Sequence, residues 1–203
     1  NKATIIKHSS QNLIIPDFNT AMKVSPKPVL FIYTPLKKFL CHGLASPGLQ
    51  SDAVNGADAR IKFFNSLSTL DTVALNQMNK IQQISLIWVA EMIKVLARFD
   101  EGRDDQILNF DEVMSTETKT EMIKILSNAF DIPILKNQIG KIESSPIWEK
   151  NSKGLSEGGY ELRQQKMAEI EVKEKDQITT GMNWVNNLCY RNIMLRPLLR
   201  YIK

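Results

Sequence analysis

The sequence predicts a mainly α-helical fold, a single domain of helical-bundle type with an extended N-terminal arm that carries one or two short strands. Three observations lead there. Between Asp58 and Phe130 there is no proline, and Gly102 is the only glycine. Within that stretch Ile81, Ile84, Trp88, Met92, Val95 and Phe99 recur at three- and four-residue steps, the spacing of one helix face. By contrast, Pro16, Pro26, Pro28, Pro35 and Pro47 crowd the first fifty residues, each removing a backbone donor and restricting the residue before it. Residues 1–51 are therefore read as a basic, proline-punctuated arm or cap, and residues 52–203 as the helical core with a basic C-terminal helix.

In the arm, the β-branched and aromatic run 29–33 predicts a short strand, and residues 36–40 start a brief helix. Turn chemistry follows at Ser46, Pro47 and Gly48 and at Asn55-Gly56. Ser68 and Asp71 resemble a capping box. The central helix is expected over 70–99, interrupted near Asn79. Leu86, Val89, Ile93 and Leu96 form a second apolar stripe beside the first, so this helix should be enclosed on several sides. Beyond an acidic turn at 100–105 come a short segment at 107–114, a helix over about 118–130 and, past Pro133, an element at 134–142. Ser144-Ser145-Pro146 opens a turn carrying Trp148, and 151–159 is a loop of Ser, Gly and Lys. A charged segment at 160–175 precedes a final helix over roughly 182–196, which Pro197 ends or kinks.

At 43% hydrophobic and 24% charged residues, the 203-residue chain has enough apolar material to bury a core of its own. No window approaches the roughly 20 apolar residues of a membrane span, so no membrane role is expected. The chain begins at Asn1, as expected of a processed or trimmed N-terminus. None of the fifteen asparagines begins a glycosylation site, which points to an intracellular, cytoplasmic setting or to the inside of a virus particle.

Catalytic motifs are not found. His8 and His42 are the only histidines; His42 follows Cys41 directly, and neighbouring residues project in different directions, which disfavours a Cys–His dyad. Two cysteines, Cys41 and Cys189, and two histidines lack zinc-ligand spacing. The acidic stretch 99–113 is faintly similar to an EF-hand calcium loop. With the loop started at Asp100, however, Gly102 stands where an oxygen ligand belongs and Asp105 where the turn needs glycine. No enzyme, metal or cofactor is expected.

Charge gives the functional expectation. Residues 1–51 carry six lysines against Asp17, a net +5; residues 182–203 carry Arg191, Arg196, Arg200 and Lys203 with no acid, a net +4. The middle of the chain holds −5 of the overall +4. Near the C-terminus, arginines alternate with Trp184, Tyr190, Leu195, Leu199 and Tyr201. Arginine grips phosphate through a planar fork, and aromatic faces stack on unpaired bases. Trp184 shares a face with Leu188 and Leu195, which assigns it to the core rather than to a ligand. The expected contacts are Arg191, Arg196, Arg200 and Lys203, joined from the arm by Lys23, Lys27, Lys37 and Lys38. The expected function is that of a self-assembling, structural nucleic-acid-binding protein of coat or nucleocapsid type. It would hold the phosphate backbone of RNA, ahead of DNA, without sequence specificity, and contact copies of itself through the arm. The alternative is a helical adaptor or regulatory module that binds another protein.

Overall fold

A computed structural model describes residues 31–66, 77–98, 107–115, 119–129, 133–145 and 160–202. The described residues are mainly α-helical, with nine α-helices, one 3-10 helix and two short strands. Several expected features lie outside them: the arm up to residue 30, the capping box at 68–71, the acidic turn at 100–105, Trp148, the loop at 151–159 and Lys203. The chain divides into two compact units, one of residues 1–34 and 98–164, the other of residues 35–97 and 165–203.

In the first unit, β1 (Phe31–Tyr33) pairs in parallel with β2 (Ile107–Asn109), in the register Phe31 with Ile107 and Tyr33 with Asn109. Ile107 and Leu108 of β2 are both buried, whereas Ile32 of β1, the register partner of Leu108, is exposed. Asn109 ends the strand and caps the next element: its side-chain oxygen accepts from the Asp111 amide at 3.0 Å and starts α5 (Phe110–Met114). Leu108, Val113 and Met122 form a small apolar cluster with Ile125 against it. Met122 and Ile125 belong to α6 (Lys119–Ala129), the helix expected over 118–130. Past Pro133, α7 (Lys136–Glu143) follows, and Thr120 of α6 donates a hydrogen bond to Glu143.

The second unit contains α1 (Leu36–Ala45), α2 (Pro47–Asn55), α3 (Ala57–Asn65), α4 (Lys80–Arg98), α9 (Lys175–Arg191) and a C-terminal 3-10 helix (Ile193–Tyr201). Helix α8 (Tyr160–Lys173) contributes residues 160–164 to the first unit and 165–173 to the second. Of the arm expected over 1–51, Phe31–Tyr33 is the short strand. From Leu36 onward, however, the chain is helical rather than extended. The prolines explain the difference. Pro35 is the N-cap of α1 and Pro47 stands in the first turn of α2, where a missing amide hydrogen removes no helical bond. Ser46 assists by accepting from the Leu49 amide at 3.3 Å.

The interruption expected near Asn79 is the start of α4. The Asn79 side chain accepts from the Gln82 amide at 3.0 Å, and the Gln82 side chain accepts from the Asn79 amide at 2.8 Å. This reciprocal cap satisfies two donors that the helix cannot reach. Every residue from Ile84 to Ala90 is buried, which is what two adjacent apolar stripes require. Two glycines allow close approach. A Cβ at Gly43 would stand 2.6 Å from Ile84 Cγ2, and one at Gly181 would stand 2.9 Å from both Leu40 Cδ1 and Ser85 Oγ. Helices α1 and α9 thus meet α4 at positions with no side chain in the way.

Helix α9 begins at Lys175, well before the expected 182. The run Thr179-Thr180-Gly181 is poor in helix propensity. Packing at Gly181 overrides that preference, and the Thr179 and Thr180 hydroxyls donate to the carbonyls four residues back, at 2.8 Å each. The helix also ends early, at Arg191, where Asn192 turns extended (φ −118°, ψ 110°) and the 3-10 helix takes over with Pro197 inside it.

Candidate nucleic-acid interface

The C-terminal segment is built on a three-residue period. Asn192, Leu195, Leu198 and Tyr201 are all buried, one residue per turn of a 3-10 helix. Asn192 anchors the row: its side-chain amide donates to the Leu188 carbonyl at 2.9 Å, and its own carbonyl accepts from the Leu195 amide at 2.9 Å. Two rows are left facing away from the core. One holds Ile193, Arg196 and Leu199, the other Met194, Pro197 and Arg200; all but the half-buried Leu199 are exposed. At about 2.0 Å rise per residue, Arg196 and Arg200 are separated by about 8 Å along the axis.

Just before this helix, Tyr190 and Arg191 are exposed at the end of α9. Arg191, Arg196 and Arg200 therefore share an exposed stretch of ten residues. No acidic residue occurs anywhere in 177–203. Among the described residues, no carboxylate is ion-paired with Arg191 or Arg196. The Arg200 guanidinium lies 4.9 Å from the centre of the Tyr201 ring, an intrachain cation–π contact.

The expected aromatic contributions divide differently. Tyr201 belongs to the buried row, and Trp184 is half-buried in α9. Tyr190 is 65% exposed, with Ile193 and Met194 at 72% and 57% close behind. Tyr190 is one of the aromatic residues expected beside the arginines, whereas Ile193 and Met194 are a feature that the sequence pattern does not single out. The only available signal was their absence from the Asn192, Leu195, Leu198, Tyr201 repeat.

The candidates from the arm behave otherwise. Lys23 and Lys27 lie outside the described residues. Lys37, in the first turn of α1, is paired with Glu171 of α8 at 2.5 Å, and Lys38 is half-buried. Lys37 thus meets a carboxylate of its own chain.

Elsewhere the titratable groups are engaged in structure. Cys41 is buried while His42 beside it is exposed, so the pair is split between core and surface. Both cysteines are free thiols. Burial, helped by the Glu171 charge, raises the Cys41 thiol above its ordinary range; burial alone pushes Cys189 up to about 12. In the stretch similar to a calcium loop, the Asp111 carboxylate accepts from Tyr160 Oη and from Gln164 Nε2, both at 3.0 Å. Burial and then this bond to Asp111 push the Tyr160 hydroxyl up to about 12. Among the described residues, no three His, Cys, Asp or Glu side chains converge on a metal-sized site, and no helix is long and apolar enough to cross a membrane. No protein-family model, curated protein or solved structure matches the chain.

Proposed function

We propose that the chain is a structural nucleic-acid-binding protein that holds a phosphate backbone, without regard to base sequence, along its C-terminal 3-10 helix. One observation carries the reading: three exposed arginines within ten residues, on a segment free of acid, two of them paired with no carboxylate among the described residues. Arginine is the side chain best suited to phosphate, and a segment without acidic side chains adds no repulsion of its own. Lys37 plays at most a minor part, since Glu171 already offsets its charge. Assembly of copies into a coat, through the arm, is the wider part of the same proposal.

The test is a salt titration. Three phosphate contacts give a slope of about −2.1 to −2.7 in log K against log salt, so affinity should fall roughly 20- to 40-fold between 50 and 200 mM salt. On a sizing column the purified protein should carry excess absorbance at 260 nm, in an assembly larger than the monomer. A monomeric peak with clean protein absorbance and no polyanion affinity would favour the adaptor reading instead.

A further inference from the structure

Resting on that reading, we infer that the ligand is single-stranded, with Tyr190 as the platform on which an unpaired base stacks. Large apolar groups are interleaved with the arginines along the chain: Tyr190 directly precedes Arg191, Ile193 and Met194 fall between Arg191 and Arg196, and all three keep more than half of their surface in water. A duplex offers such groups little. Its outer surface is phosphate and sugar, its base faces are closed against one another, and a convex helix touching the backbone would leave all three side chains beside anions. A single strand presents both chemistries at once: phosphates for Arg191, Arg196 and Arg200, and flat base faces for the phenol ring and the two aliphatic neighbours. Stacking on an aromatic ring is tolerant of base identity, consistent with binding that ignores sequence. It also removes the exposed face of the Tyr190 ring from water, where contact with phosphate would not.

Tyr190 is exposed at the end of α9, so replacing it leaves the core untouched. The experiment measures the affinity of the full chain for a single-stranded RNA homopolymer and for a duplex with the same number of phosphates. Three variants are compared with it: Tyr190→Ala, Tyr190→Phe and the double change Arg196→Glu with Arg200→Glu. The wild type should prefer the single strand. Tyr190→Ala should lose roughly 5- to 150-fold on it, the worth of one stacked base. Its salt slope should stay unchanged, and Tyr190→Phe should restore affinity. Duplex affinity should be indifferent to either tyrosine variant, whereas the double arginine change should weaken both ligands.

Equal affinity for the two ligands, or a Tyr190→Ala variant that binds the single strand as well as wild type, overturns the inference while the arginine effect leaves backbone binding standing. If wild type binds neither ligand, both fall together. If Tyr190→Ala alters only the size of the protein's own assembly, the apolar groups form a protein interface and the inference is wrong.

Discussion

The two basic regions of the second unit carry the same charge in different company. At the start of α1, Lys37 lies 2.5 Å from Glu171, and both side chains are about half exposed. At the end of the chain, Arg191 and Arg196 project from a segment without a single acid, and no described carboxylate reaches them. A phosphate approaching α1 would have to displace or tolerate a carboxylate, whereas one approaching Arg191 or Arg196 meets a guanidinium that no described carboxylate pairs. The lesson concerns distance: charge that counts toward a ligand is the charge left over after neighbours in space have been subtracted.

That contrast can be broken or sharpened experimentally. The largest effect should come from the row that holds the arginines in place. Leu198→Ala, which removes a fully buried side chain, should cost about 2–5 kcal/mol in denaturant unfolding. It should also weaken polyanion binding although no charge has changed. Next, reversing Arg196 and Arg200 together should lower affinity on the order of a hundredfold at 50 mM salt. Lys37→Glu should lower it by less than about threefold, because a pair already near neutral contributes little. Comparable losses in the two variants would erase the distinction between the regions. A smaller effect is expected from Glu171→Gln. Stability should change by less than about 1 kcal/mol, as for other exposed ion pairs. The released Lys37 should raise affinity slightly, and an unchanged affinity would show that Lys37 stands too far from the bound strand to matter.

Smallest of all should be the response to pH. Arginine stays charged throughout, so binding should be flat from pH 6 to 9, and a loss of affinity on moving from pH 6 to 8, where histidine loses its charge, would overturn an arginine site. Stability behaves differently. The folded chain holds the Cys189 thiol at about 12 against an ordinary 9.0, so the unfolded chain releases its proton first as pH rises. The contribution of the buried neutral thiol is therefore complete below pH 9 and lost between about 9 and 12. Urea midpoints should decline across that window, and Cys189→Ala should flatten the decline.

Much of the fold was legible because it is local. The steps Ile81, Ile84, Trp88, Met92 and Val95 identified α4, and the interruption expected near Asn79, inside a helix expected from residue 70, coincides with its cap. What escaped depended on partners far along the chain. Thr179, Thr180 and Gly181 argue against a helix until Leu40, Ile81 and Ser85 are seen packed against that glycine. Pro35 and Pro47 read as breakers, yet a proline that ends one helix also suits the start of the next. At the candidate interface, Arg196 and Arg200 are both exposed, outside the buried row. The pairing of Lys37 with Glu171, by contrast, joins residues 134 positions apart and leaves no local trace. Likewise, a shift from 3.6 to three residues per turn after Asn192 decides that Tyr201 is buried while Ile193 and Met194 are exposed, and short aliphatic runs fit both periods.

The three-residue fastening of Asn192, Leu195, Leu198 and Tyr201 makes the C-terminus sensitive to length rather than to composition. Each residue advances a 3-10 helix by about 120°. One residue inserted after Asn192 would swing every later side chain round by a third of a turn. Either an arginine would be carried toward the apolar interior, or the helix would come off it. Exchanges among the outward residues should be tolerated there, while a single-codon insertion or deletion should not.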